Sequence, residues 1–294
     1  MRSRLLDFRR CLETLTNQGG VALFLGRSDV GKSTRILDLV GRVTASGGSA
    51  AVIDADLGQS TYGLPTTLNL VRFAVDAGRP TPEVIATFFV GAISPVGHLL
   101  QTLVGCRRLL DLALELGVRV ILIDTTGLVD GTLAAEFKLQ KIEVLHPTHV
   151  LALAHGNELE PILHACSQRQ DMVVCRWPIA AAARERSSEE RRAHRQEKYR
   201  RYFAGAIRQR FSLDSVEVWG RFPNLDRTDL QGLLVGLNDG HGLCRGVGRL
   251  QRVTRREVEV WTPLRTVAAV KLLRFGSVAV EAQGKERIFS PREW

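Results

Sequence analysis

The stretch VALFLGRSDVGKST, residues 21–34, constrains this chain more than any other. Five apolar residues run into a segment of the form G-x-x-x-x-G-K-[ST], and a helical pattern begins at Lys32. A strand, a glycine-rich turn and a helix in that order make a phosphate cradle. Gly26 and Gly31 let the backbone curl until successive N–H groups converge on an anion, and the helix N-terminus adds its positive end. Asp29 and Val30 belong to the same loop and are expected to lie against the nucleotide. Lys32 is expected to reach the β- and γ-phosphates, Ser33 to offer its hydroxyl to Mg²⁺, and Thr34 to bond the α-phosphate. Guanine-selective proteins with this loop carry Asn-Lys-x-Asp on a later strand, where this chain has HGNE at 155–158, so ATP or loose base selection is expected.

From residue 21 to about 175 short apolar runs alternate with helical patterns. AAVID (50–54), TFFV (87–90), VRVILID (118–124), HVLALA (149–154) and MVVC (172–175) read as strands. Helices are expected from Lys32, over 96–116, over 132–145 and from about 158. Strands apolar throughout, alternating with helices, predict an α/β fold: a P-loop NTPase-type parallel sheet with helices on both faces. Ligands then bind at the C-terminal ends of the strands. After Trp177-Pro178 comes a charge run, and after Ser212 short β-like runs separated by Gly, Asn and Asp. The expected organisation is a kinase-like domain over 1–211 with a helix at about 184–201, and a small C-terminal β-rich domain over 212–294.

A net charge of +9 suits a polyanionic partner, though a plain solubility surface fits the same number equally well. The N-terminal MRSRLLDFRRCLETL is broken by Arg2, Arg4, Arg9 and Arg10 and has no signal-peptide core; Leu5, Phe8, Leu12 and Leu15 instead predict an amphipathic helix. No run approaches the ~20 apolar residues that cross a bilayer, so no membrane partner is expected. Five scattered cysteines without a CxxC point to reduced thiols in a cytoplasm. His146 and His149 flank Pro147 and read as a turn rather than a metal site.

Phosphoryl transfer needs carboxylates for a metal and for the nucleophile's proton. Two strand ends supply them: DADLGQS with Asp54 and Asp56, and IDTTGL with Asp124, Thr125 and Thr126. Asp124, preceded by four apolar residues, is the better Walker B by pattern, and of Asp54 and Asp56 one could hold metal while the other meets substrate; the bland reading is a loop cap. Arg184, Arg191, Arg195 and Lys198 fall on one helical stripe. That stripe is either a solvated surface or a cationic flap that neutralises charge on a transferring phosphoryl group.

Taken together, GRSDVGKST, DADLGQS, FFVGAISPVGH, DTTGLVDG with LHPTHVLAL, ERSSEERRAHRQEKYRRYFAG, GLNDGHGLCRGVGRL and VEVWTPL resemble one family. It is the polynucleotide 5′-hydroxyl kinases related to the kinase subunit of the mRNA cleavage factor and to the nucleolar pre-rRNA-processing kinase. The resemblance runs from about Gly20 to Pro263. It implies that Asp56 takes the proton from a 5′-hydroxyl, that Lys32 binds phosphate, and that Thr125 lies in a clasp for phosphates or substrate. It further implies lid roles for Arg186, Arg191 and Arg195, and substrate contacts from Gln59 and Thr126. The family's clasp commonly reads Asn-Thr-x-Gly-Trp, where this chain has Asp124-Thr125-Thr126-Gly127-Leu128. Many members also carry an N-terminal β domain that helps hold the adenine, whereas about 20 residues precede the first strand here. The expected partners are the 5′-hydroxyl ends of RNA or DNA. Rival readings are a P-loop ATPase switch, a nucleic-acid-binding adapter that keeps ATP as a structural ligand, and a small-molecule kinase.

Overall fold

The structure, a computed structural model, describes residues 8–76, 79–179, 184–225, 227 and 229–289. Leu5 of the expected first helix lies outside them. The chain divides into two compact units, Met1–Asp56 with Asn69–Ile85 and Leu99–Arg186, and Leu57–Leu68 with Ala86–His98 and Ser187–Trp294.

In the first unit, α1 (Phe8–Gln18) buries Leu12 and Leu15 of the expected apolar stripe together with Cys11, while Phe8 is half-buried. β1 (Gly20–Leu25) feeds α2 (Lys32–Ala45), which is followed by β2 (Ala50–Ala55), β3 (Thr67–Asp76) and β4 (Arg79–Phe89). Then come α3 (Leu99–Glu115), β5 (Val120–Thr125), α4 (Thr132–Leu145), β6 (His149–Ala152), α5 (Glu160–Ser167) and β7 (Val173–Arg176). The seven strands lie in the order β4-β3-β2-β5-β1-β6-β7. β2, β5, β1, β6 and β7 are parallel, and β2 and β5 are buried along their whole length. The chain steps one way from β1 to β2 and the other way from β5 to β6 and β7. Right-handed crossovers therefore send α2 to one face and the later helices to the other. The reversal beside β1 opens a crevice at the strands' C-terminal ends.

The sheet is mixed rather than wholly parallel. β3 pairs antiparallel with β2, Asp54 opposite Asn69. No helix separates these two strands, and parallel pairing needs a long crossover, so β3 returns antiparallel. TFFV is the end of the longer strand β4 at the sheet edge, not a strand of its own among the parallel set. His146 caps α4 in the left-handed region (φ 44°), and His149 opens β6, so the pair forms a turn.

The second unit contains α6 (Ser188–Tyr202) and the strands β8 (Ile207–Ser212), β9 (Glu217–Val218), β10 (Leu233–Asn238), β11 (Cys244–Val253), β12 (Glu257–Thr262), β13 (Leu272–Val280) and β14 (Glu286–Ile288). Six run β14-β13-β10-β11-β12-β8, all antiparallel, and β9 pairs with β13. Strand alternation splits its apolar residues between two clusters. Val235, Leu237, Leu250, Val258, Val260 and Leu273 form one. Leu234, Val247, Val278 and Val280 join Tyr199 and Phe203, at the C-terminal end of α6, and Phe89 in the other. Gly236 has no side chain because Phe89 packs where its Cβ would be. α6 starts with a capping box: Ser187 Oγ accepts from the Glu190 N–H (3.1 Å), and the Ser187 N–H donates to Glu190 Oε2 (2.7 Å). Among the described residues no helix is long and apolar enough to cross a membrane.

Candidate active site

β1 ends at Leu25, and the backbone turns through three positive φ values, Gly26 (154°), Asp29 (64°) and Gly31 (91°), before α2 begins. Gly26 tolerates no side chain, because a Cβ there would collide with the Leu153 carbonyl. Gly31 is the N-cap of α2 and offers no side-chain cap, so the first N–H groups of the helix keep their capacity for an anion. Lys32 is buried and folds over this loop, donating from Nζ to the carbonyls of Gly26 (3.0 Å) and Arg27 (2.7 Å).

Two neighbouring strands bring the carboxylates alongside. Asp54 on β2 and Asp124 on β5 are paired in register, so both sit one residue from their strand's end. Both are buried, whereas Asp56, just past the end of β2, is half-buried. The Asp56 N–H donates to Asp54 Oδ1 (3.4 Å). Ser33 Oγ donates to Asp124 Oδ2 (2.6 Å), tying the first turn of α2 to β5. Asp124 Oδ1 is buried without a hydrogen-bond partner. Burial pushes the Asp124 carboxyl above its ordinary range, while Lys32 and the Ser33 hydroxyl pull it back and Asp56 adds to the rise.

A hydroxyl and a buried carboxylate with one oxygen left over fit a small hard cation. Among the described residues no group of three His, Cys, Asp or Glu could hold a metal by itself. Mg²⁺ is usually bound through one or two carboxylates together with substrate phosphates, and Ser33 and Asp124 are the residues that would supply the protein's share.

After Asp124 the chain turns back toward the loop. Thr125 is fully buried; its Oγ1 donates to the Phe24 carbonyl (2.7 Å) and accepts from Lys138 Nζ (2.8 Å). Thr125 is therefore engaged with β1 and α4, while the Thr126 hydroxyl is buried without a partner. Gly127 lies flat on Ser28 of the phosphate loop, where any Cβ would strike the Ser28 backbone and hydroxyl.

The arginines separate into three situations. Arg186 is paired with Asp29 of the phosphate loop, Nε to Oδ1 at 2.8 Å, with its N–H on Oδ2 at 3.1 Å. Arg191, in the second unit, is half-buried, and its carbonyl accepts from Gln59 Nε2 at 3.4 Å. Arg195 is bound to Glu286 at 2.5 Å. Lys198 donates to the carbonyls of Ser60 (2.6 Å), Thr61 (3.0 Å) and Gly63 (3.0 Å), fastening the turn after Gln59 to α6. Arg195 and Lys198 are thus internal attachments rather than part of a solvated face, while Arg184 precedes α6 and is exposed. Trp177 is a core residue, against Phe8 and Phe24 with Arg35 over its ring.

Sequence reasoning passed over Lys138 and Lys141, both fully buried on α4. Ala134, Lys138, Lys141 and Leu145 follow at spacings of four, three and four along the buried face, so a lysine on an apolar stripe was the available signal. Lys138 donates to Thr125 Oγ1 and to the Thr126 carbonyl (2.7 Å). Burial, then Lys141 and Lys32, drive its ammonium well below the ordinary lysine range, against the opposing pull of Asp56 and Asp124.

A phosphate-binding loop at the switch point among the parallel strands of a mixed sheet, with an acidic strand end bonded to its serine, defines a P-loop nucleotide-binding protein. Residues 26–205 match the family model for the P-loop domain of the mRNA cleavage and polyadenylation factor CLP1, and the chain belongs to that family. A polyribonucleotide 5′-hydroxyl-kinase of Pyrococcus abyssi is 29% identical over 328 residues, spanning 92% of this chain and 90% of the relative. One of Thermococcus kodakarensis is 29% identical, spanning 95% and 94%. Among solved structures, the wild-type Clp1p–Pcf11p complex superposes with a TM-score of 0.66 over 92% of this chain and 78% of that one. At 15% identity this likeness speaks for the fold.

Proposed function

We propose that this chain is a polynucleotide 5′-hydroxyl kinase that transfers the γ-phosphate of ATP to the 5′ end of RNA. The observation that carries the reading is the Ser33–Asp124 bond beside Asp54 and half-buried Asp56, all at the sheet edge that holds the phosphate loop. The names of the relatives favour RNA over DNA, and the family's P-loop implies ATP.

In this reading the α2 N-terminus and Lys32 hold the β- and γ-phosphates, with Asp29, Val30 and Thr34 lining the same loop. Mg²⁺, held by Ser33 with Asp124 or Asp54, supplies charge neutralisation on the phosphate oxygens when bound. Asp56 accepts the proton of the attacking 5′-hydroxyl; it is the most accessible of the three acids. Arg186 and Arg191 meet the charge that spreads over the transferring group. Arg195, committed to Glu286, fixes the helix that carries Arg191. Thr125 holds the turn from within, and Thr126 and Gln59 face substrate. Residues 1–211 would act as the kinase portion, with 184–201 as its lid, and 212–294 as the β-rich support. Five buried free thiols support a reducing, cytoplasmic setting.

The test uses γ-labelled ATP with matched 5′-hydroxyl and 5′-phosphate oligoribonucleotides. Wild type labels only the 5′-hydroxyl strand, and Lys32→Ala and Asp56→Asn label neither. ATP consumption without labelling of either strand would replace the kinase with an ATPase switch.

A further inference from the structure

Lys138 lies outside the motifs on which the family resemblance rests, yet it is fully buried behind the turn that follows Asp124. Burying an amine in a protein interior is costly, and a hydrocarbon side chain of the same length would fill the space without that cost. Lys141 compounds the cost: its Nζ lies over the Phe137 ring at 4.9 Å and has no hydrogen-bond partner.

We propose that Lys138 is a positioning residue for phosphoryl transfer, holding the Thr125-Thr126-Gly127 turn against the phosphate loop so that Thr126 and Asp124 meet the transferring phosphoryl group. Three observations converge on it. The Lys138 Nζ bonds both Thr125 Oγ1 (2.8 Å) and the Thr126 carbonyl (2.7 Å), gripping two successive residues of the turn. Thr125 passes the grip on to the Phe24 carbonyl of β1, so α4, β5 and β1 are joined through one hydroxyl. The turn then meets Ser28 with no clearance at Gly127, while two buried polar atoms on the same stretch, Asp124 Oδ1 and Thr126 Oγ1, remain without partners. Those two atoms are the ones a phosphate-bound cation and a phosphate oxygen would engage, and their placement depends on a turn that only Lys138 holds from the α4 side among the described hydrogen bonds. A lysine buried at a cost to stability, gripping a turn that abuts the phosphate loop at Gly127, fits a positioning role.

This inference rests on the kinase reading, and the experiment separates the two. Lys138→Met keeps the length and removes the donors; Lys138→Gln keeps a donor on a shorter stem; Thr125→Val removes the shared acceptor. Each is measured for thermal midpoint, affinity for a fluorescent ATP analogue, and kcat on a 5′-hydroxyl oligoribonucleotide. The expected result for Lys138→Met is kcat lower by roughly 100-fold, the cost of a misplaced reacting group. The analogue should bind within about threefold of wild type, and the thermal midpoint should be unchanged or raised. Lys138→Gln should recover part of kcat. The Thr125→Val/Lys138→Met double variant should be no slower than Lys138→Met, because both break one linkage. Wild-type kcat in Lys138→Met overturns the proposal, as does a loss that tracks the thermal midpoint and nucleotide affinity. Should Lys138→Met not fold, Lys138→Gln and Thr125→Val decide by the same split. If wild type labels no oligonucleotide, the kinase reading falls, and the same comparison made on ATP hydrolysis still decides the role of Lys138.

Discussion

Arg195 and Glu286 form a two-pronged ion pair, with Nη2 2.5 Å from Oε1 and Nε 2.9 Å from Oε2. Their side chains are 11% and 1% exposed, so water screens the pair little. Glu286→Leu takes from a buried guanidinium its two-pronged carboxylate partner and should destabilise the second unit by about 3–5 kcal/mol. Replacing both, as Arg195→Met with Glu286→Leu, should restore most of that, read by chemical denaturation. If the stable double variant also transfers phosphate at near the wild-type rate, Arg195 anchors the helix. A stable but inactive double variant would place Arg195 at the reacting phosphate instead.

Asp29 puts a negative charge inside a loop built for phosphates and balances it with Arg186. Asn tolerates the left-handed conformation at φ 64° and removes the charge. Asp29→Asn should therefore tighten ATP binding by about fivefold, the scale of a partly exposed charge interaction. It should also slow transfer, since Arg186 loses the partner that orients it. Isothermal titration and single-turnover rates read the two effects apart; weaker ATP binding would show that Asp29 serves the loop's fold alone.

Gly127→Ala tests the contact between the turn and the phosphate loop. Its added methyl would occupy the space of the Ser28 backbone and hydroxyl, so turn and loop must part. ATP affinity should fall by roughly tenfold or more, in line with ~1–3 kcal/mol for overpacking. Ser28→Ala, which removes only the hydroxyl, should not rescue it, because the backbone clash remains. Normal nucleotide binding in Gly127→Ala would mean the turn is free to shift.

Burial holds the imidazoles of His98 and His149 below the ordinary histidine range. His149 Nε2 is buried without a partner, so a proton there has nothing to bond. In the unfolded chain both rings take up protons below about pH 6.5, which the folded rings resist. The unfolded state then binds more protons, so stability is complete above that pH and is lost as pH falls below it. The urea midpoint should drop from pH 7.5 to 5.5, and less so in His149→Phe. An equal drop in both would assign the acid sensitivity to other groups.

Much of the first unit was legible because its signals are local. GRSDVGKST announces loop and helix together, and within the runs at 50–54 and 118–124 the stretches 50–53 and 120–123 are apolar throughout because both faces of β2 and β5 are covered. β3 was missed since a reading primed for strand-helix alternation has no place for a strand that follows another directly. What the arginine stripe would do was not readable at all. Arg195 finds Glu286 across 91 residues, and Lys198 finds three carbonyls more than 130 residues earlier. Spacing can show that residues share a helical face, but not which distant segment meets that face.

The two lysines inside α4 bear on how such proteins are altered by design. A procedure that rewards thermal robustness would exchange Lys138 for methionine early, since the swap keeps the side chain's length and removes a buried amine. The product would look improved by every measure of folding, and the loss would surface only when turnover was measured.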